Sequence, residues 1–344
     1  MTPSAASPTF VYSDALCLAH DPGPGHPESP ARLQAILSDL QARPIAGAVR
    51  RRPRAATDEE ILAVHGPSLL AQLRASAGRP VQLDPDTMTS PSSFEAARLS
   101  AGAAVQAVEA VMSGAARNAF VCARPPGHHA EREQSMGFCL LNNVAIAAEA
   151  GRRLGAQRVL VVDWDVHHGN GTQHMFEGRR DVLYASCHQW PFYPGTGAAR
   201  EIGKGEGAGY TVNCALPAGQ RDADFGAVFQ DLFLPIAQQF RPDLVLVSAG
   251  FDPHQQDPLG EMHVTERGFA AMTTALRGIA DSHARGRLVL LLEGGYHLRG
   301  LADSVHACLE VLVGRGEEFP DGALRALPAI RASRAALARH WRLP

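Results

Sequence analysis

The chain has 344 residues, of which 45% are hydrophobic and 19% charged, with a formal net charge of -3. This is the composition of an ordinary globular protein with enough apolar residues for a sizeable core, in one large α/β domain or two smaller ones. A charge so near balance gives no basis for a nucleic-acid or an acidic-membrane partner.

Short apolar runs alternate with helical patterns along the chain. In order, the predicted elements are a helix over Phe94–Met112, a strand over Ala119–Cys122, a helix over Leu141–Leu154, and strands over Arg158–Val162, Val182–Ser186 and Tyr210–Asn213. A helix over Asp224–Phe240 follows, then a strand over Asp243–Ser248, a helix over Glu266–His283 and a strand over Leu288–Leu292. Thr265 is the expected N-cap of the helix that starts at Glu266. This alternation predicts βαβ units, a mostly parallel sheet and helices on both faces. With no linker, repeat or low-complexity segment in the interior, residues 1–344 read as one domain. The tail from Arg325 to Pro344, with Arg331, Arg334, Arg339 and Arg342, reads as the solvated face of a terminal helix.

The remaining general features point to one compartment. Six scattered cysteines form no CxxC pair and suit a reducing environment. No apolar run approaches the roughly 20 residues of a membrane span, and Met1–Ser4 opens no secretory signal. The expectation is a cytoplasmic protein.

Four of the predicted strands end in polar clusters. They are Arg124-Pro125-Pro126-Gly127-His128-His129, Asp163-Trp164-Asp165-Val166-His167-His168, Ala249-Gly250-Phe251-Asp252 and Glu293-Gly294-Gly295-Tyr296. Parallel strands bring all their carboxyl ends to one rim, where ligands bind in open α/β sheets. Asp165 and His167 are two residues apart on an extended segment, so both project to one side. Asp252 is the expected third metal ligand. An Asp/His/Asp set leaves positions open for water and substrate, as a catalytic zinc site does, and Fe²⁺ or Mn²⁺ would also suit it.

His128 and His129 follow a rigid Pro-Pro-Gly turn and are candidates for proton transfer near neutral pH. Asp163 is the expected orienting partner of His128, and Asn170 that of His129. Tyr296, after two glycines, is placed to donate to an oxyanion. Phe138 after Gly137, and Phe192 with Tyr193, are loop aromatics that suit the walls of a narrow tunnel. The glycine-rich run Gly203–Gly209 lacks the Gly-Lys-Ser/Thr ending of a phosphate loop and reads as a turn.

Taken together, these motifs resemble the zinc-dependent histone deacetylase superfamily, including its bacterial histone-deacetylase-like amidohydrolases and acetylpolyamine amidohydrolases. The resemblance runs from His26-Pro27-Glu28-Ser29-Pro30-Ala31-Arg32-Leu33 to Tyr296 and includes RPPGHH, DWDVHHGNGTQ, YPGTG, SAGFD and LEGGY in the family's order. HHGNGTQ with LEGGY resembles the class II branch, since class I members carry aspartate where this chain has Asn170. The resemblance implies the arginase/deacetylase fold, with a central eight-stranded sheet.

It also implies zinc on Asp165, His167 and Asp252, His129 as general base and then acid, His128 with Asp163 as its electrostatic partner, and Tyr296 on the oxyanion. Phe138 and Tyr193 match the aromatic pair of the acyl-lysine tunnel. Tyr193 departs from the usual phenylalanine. Leu259 matches a tunnel position where a polyamine-preferring member carries glutamate. Potassium is implied at Asp163, Asp165, His167, Ser186 and Cys187, and at a second site formed by Phe176, Arg179, Val182 and Tyr210.

The expected reaction is removal of acetyl or another acyl group from a lysine-type amine, in a peptide, a protein or a small amine. An acetylpolyamine deacetylase is the alternative. A non-catalytic acyl-lysine-binding protein and an arginase-type ureohydrolase fit the residues less well. Homo-oligomers are compatible with this reading.

Overall fold

A computed structural model describes residues 7–321 and 327–344 of the chain. The readings of Met1–Ser4 and of Arg325 lie outside the described residues. The strands are β1 (Thr9–Tyr12), β2 (Ala48–Arg51), β3 (Gln82–Asp84), β4 (Thr87–Met88), β5 (Asn118–Val121), β6 (Val159–Asp163), β7 (Val182–Gln189), β8 (Thr211–Leu216), β9 (Leu244–Ala249) and β10 (Leu288–Leu292). β3 and β4 form a small antiparallel hairpin. The other eight form one sheet in the order β2-β1-β5-β10-β9-β6-β7-β8, and every pairing in it is parallel.

The central strands read Val-Leu-Val-Val-Asp, Leu-Val-Leu-Val-Ser-Ala and Leu-Val-Leu-Leu-Leu and are buried throughout. Parallel strands covered by helices on both faces need such continuous apolar runs. Two strands that the sequence pattern did not predict, β1 and β2, complete one side. β2 is an edge strand that ends in two exposed arginines, so it has no apolar run to read.

The predicted helix over Glu266–His283 has those bounds and Thr265 stands at its N-cap with extended backbone, but the threonine side chain makes no capping hydrogen bond. Its hydroxyl donates to Asp222 at 2.6 Å instead. The predicted helix over Asp224–Phe240 is not uniform. It runs as Asp222–Val228, a wide π turn over Phe229–Phe233, and Leu234–Phe240. Pro235 supplies no N–H and its ring crowds the preceding turn, which the wider π turn accommodates. In the tail, the helix Leu327–Leu337 buries Ile330 and Leu337, while Arg331, Arg339 and Arg342 are exposed and Arg334 is half-buried. Among the described residues no helix is long and apolar enough to cross a membrane.

The sheet order explains the site. β5, β10, β9 and β6 are consecutive neighbours, and they are the four strands whose ends carry the polar clusters. The chain leaves β5, places β6 three positions along the sheet, and later fills the two-strand gap with β9 and β10. That gap is the topological switch point at which open parallel sheets bind ligands.

Candidate active site

β6 runs into Asp163, Asp165 and His167 without a turn of its own. Asp165 Oδ2 accepts from Gly294 N at 2.8 Å, which ties the end of β6 to the end of β10. Asp252 Oδ1 accepts from Val166 N at 2.8 Å, which ties β9 to the same place. Backbone approach this close needs glycine. A Cβ on Gly250 would lie 2.0 Å from Asp165 Oδ2, and one on Gly294 would lie 2.1 Å from Asp252 Oδ2.

Asp165, His167 and Asp252 offer ligand atoms that all lie within 4.8 Å of one another. His167 Nδ1 stands 3.1 Å from Asp165 Oδ1 and 3.2 Å from Asp252 Oδ2. Bonds of about 2 Å in tetrahedral geometry place donor atoms roughly 3.3 Å apart, so the spacing fits one zinc-sized cation. The electrostatics agree. Asp252 is fully buried, its Oδ2 has no hydrogen-bond partner, and burial together with Asp165 raises its carboxyl to about 7. Two buried carboxylates with an orphaned oxygen are costly unless a cation joins them.

The two imidazoles lie side by side, with ring centroids 4.0 Å apart, and both are almost fully buried. Their orienting partners differ. His128 Nδ1 is 3.0 Å from Asp163 Oδ2, which also accepts from the Tyr184 hydroxyl at 3.0 Å. Burial opposes a charge on His128, but Asp163 and Asp165 outweigh it and lift the ring to about 10. His129 Nδ1 is 2.7 Å from Asn170 Oδ1. Burial, with His128 and His167 nearby, holds His129 well below the usual imidazole range. One ring therefore keeps its proton and the other is a neutral acceptor.

Above these groups is a cavity of about 180 Å³. Gly137, Phe138, Phe192, Tyr193 and Leu259 line it, together with His128, His129, His167, Gly294 and Tyr296. Phe192 stacks on His167 with centroids 5.3 Å apart, and Tyr193 meets His129 edge-on at 5.1 Å. Gly137 and Phe138 both have positive φ. A Cβ on Gly137 would lie 2.5 Å from the His129 ring, so only glycine lets this loop close over that imidazole. Tyr296 is half-buried, and burial pushes its phenol well above the usual value, so it stays an O–H donor. The structure thus brings together the thirteen residues that the sequence pointed to as metal ligands, proton-transfer groups and tunnel walls.

Several supporting residues carried no role in the sequence reading. Asp257 Oδ2 accepts from Tyr296 N at 2.6 Å and from His297 N at 3.1 Å, which fixes the tyrosine loop. Glu293 Oε2 accepts from Gly127 N at 2.6 Å and from His128 N at 3.2 Å. Glu28 binds Arg32 and Arg124 beneath the rim, and Arg32 donates to Gly295 O at 2.6 Å while lying over the Tyr296 ring. Glu28, Arg32, Arg124 and Glu293 fall inside the quoted motifs, so the motifs were the available signal. Asp257 grips only backbone N–H groups, which leaves no pattern in sequence.

Comparison with known proteins gives a consistent result. The family model described as "Histone deacetylase domain" matches residues 26–312. The chain is 42% identical over 341 residues to the human protein named "Polyamine deacetylase HDAC10", an alignment covering 92% of this chain and 49% of that one. It is 42% identical over 310 residues to the "Histone deacetylase-like amidohydrolase" of Pseudomonas aeruginosa, covering 84% of this chain and 81% of that one. The solved structure of the HDA15 HD domain superposes with a TM-score of 0.93 at 37% identity, covering 98% of this chain and 96% of that one. The chain spans 49% and 58% of the length of the first two curated relatives, the human protein and "Histone deacetylase 15" of Arabidopsis thaliana.

Proposed function

The chain belongs to the histone deacetylase family and has the arginase/deacetylase fold, and from that premise we propose a metal-dependent amidohydrolase that removes acetyl groups from lysine-type amines. One observation carries the reading. An Asp/His/Asp triad spaced for one cation lies at the base of an aromatic-walled cavity, with a neutral imidazole and a phenol facing the same space.

Asp165, His167 and Asp252 would hold zinc. Fe²⁺ is the second ion we assign to this donor set. When bound, the ion supplies Lewis-acid polarisation of the amide carbonyl and acidifies water. The chain's own groups do the rest. Phe138, Phe192 and Tyr193 exclude bulk water and hold a slender acyl arm. His129, with Nδ1 turned to Asn170, takes the attacking water's proton at Nε2 and later delivers it to the departing amine. His128 stays protonated against Asp163 and offers positive charge beside the developing oxyanion. Tyr296 donates its O–H to the carbonyl oxygen as negative charge builds there. Potassium forms part of the same assignment, through backbone oxygens near Asp163 and Ser186, which pair in register across β6 and β7. The chain acts as one catalytic domain in the cytoplasm.

Leu259 on the cavity wall favours acyl-lysine over a polycation, because it offers no charge to a second ammonium. Parallel turnover assays on an acetyl-lysine peptide and on acetylspermidine, each with and without a chelator, test this. The expected result is chelator-sensitive hydrolysis with the peptide preferred. Preference for acetylspermidine would make the chain a polyamine deacetylase, and tight binding without turnover would make it a binding protein.

A further inference from the structure

His129 leans on Asn170, and an asparagine can present either of two faces. As placed, Oδ1 faces His129 Nδ1 at 2.7 Å. Turned over, the amide would offer N–H groups to that nitrogen. Nδ1 would then have to accept, and the ring proton would move to Nε2. A ring in that tautomer cannot take a proton from water at Nε2.

What fixes the amide lies on its far side. Asn170 Nδ2 donates to Glu131 Oε1 at 2.6 Å. It also faces His129 O at 3.4 Å and Met136 Sδ at 3.5 Å. A carboxylate only accepts, so it takes the amide NH₂ and rejects the amide oxygen. Turning the amide would set two oxygens against each other at hydrogen-bonding distance. Glu131 Oε1 is itself held, 2.8 Å from His174 Nδ1, on the wall of a surface cavity of about 200 Å³. The Glu131 main chain is anchored separately. Its N donates to Gln134 O at 2.8 Å, and its O lies 3.0 Å from His65 Nδ1. Replacing the side chain therefore leaves the loop tied.

We propose that Glu131 is a positioning residue that holds the Asn170 amide with its oxygen toward His129 and so sets the tautomer of that ring. The inference rests on the reading of His129 as the general base. It couples two positions 39 residues apart. An acceptor at 131 requires an amide at 170, and a donor at 131 requires a carboxylate there.

The zinc-loaded protein tests this in two ways. Ring ¹⁵N spectra, with His129 assigned by its loss in His129→Gln, should show a protonated Nδ1 and a bare Nε2 in the wild type. Glu131→Lys presents a donor, should turn the amide and move the proton to Nε2, and should lower kcat roughly a hundredfold or more, within the loss of about 10⁴-fold that a wrong tautomer causes in serine proteases. KM should stay within about threefold, because the substrate contacts are untouched. Adding Asn170→Asp to Glu131→Lys should restore the Nδ1–H tautomer and recover kcat about tenfold or more.

A purely structural role predicts additive loss in the double variant, and that result would overturn the proposal. So would an Nε2–H ring in the wild type. If the charge reversal fails to fold, Glu131→Ala serves in its place. A mixture of tautomers supports the proposal and an unchanged spectrum sinks it. A wild-type protein that hydrolyses no acyl amine would refute the functional reading, while the ring spectra would still decide the tautomer.

Discussion

Two clusters of buried charge lie at the rim of the sheet, and they differ in how their carboxylates are paired. In the lower cluster Glu28 accepts from Arg32 at 2.9 Å and from Arg124 at 2.6 Å, and Arg124 also donates to the carbonyls of Cys17 and His20. All three charged side chains are fully buried. Burial alone would raise the Glu28 carboxyl, but Arg124 and His20 hold it well below the usual range. In the upper cluster Asp165 and Asp252 face His167, and Asp252 Oδ2 has no hydrogen-bond partner. A carboxylate whose two oxygens are both held by guanidinium groups builds structure. One with an orphaned oxygen has a place for something the chain does not supply.

That contrast breaks first at Asp252. Asp252→Ala should abolish zinc binding and turnover together, because it removes one of the three ligands. Elemental analysis of the purified variant checks this, and full metal occupancy would strike Asp252 from the ligand set. The opposite behaviour is expected at Glu28. Glu28→Gln strands two buried guanidinium groups and should cost about 3–5 kcal/mol of folding stability, measured by denaturant unfolding. The folded fraction should still bind zinc. A variant of unchanged stability would show that the arginines find other partners.

Between these extremes lies Tyr296, which touches both clusters through the Arg32 guanidinium and the cavity. Tyr296→Phe keeps the ring over Arg32 and deletes only the donor. Turnover should fall about a hundredfold or more with zinc content unchanged. Near-normal rates would remove the phenol from the chemistry.

The same contrast shows what the sequence made legible. The unsatisfied cluster was readable, because charged residues at the ends of apolar strands stand out against their own segments. Asp165, His167, Asp252 and both histidines sit on such strand ends. The core strands were readable for the same reason, and β10 has its predicted bounds. The pairing within the Glu28 cluster was not, although its residues stand in recognisable motifs. Glu28 lies 96 residues from Arg124, and nothing local marks a long-range pair. Local rules failed where tertiary partners competed. Thr265 had the right type and place for a cap, yet Asp222 took its hydroxyl. Short edge strands such as β2 lack the burial that gives a strand its pattern.

Glu293 sharpens the comparison, because it belongs to neither extreme. Its carboxylate is buried without a guanidinium partner, and it accepts from Gly127 N, His128 N and the Ser248 hydroxyl. Burial raises its carboxyl to about 7, although His128 pulls the other way. The folded value therefore stands above the ordinary one near 4.5. A group raised in this way binds its proton more tightly when folded. Its contribution to stability is complete below about pH 4.5 and is lost as pH rises through 7. Comparing wild type with Glu293→Gln by denaturant unfolding of the chelated protein isolates the term. The stability of the wild type relative to the variant should fall by on the order of 2 kcal/mol between pH 5 and pH 8. A difference that stays flat across that window would mean that Glu293 keeps its charge in the folded protein. It would then belong with Glu28, as a carboxylate whose partners suffice.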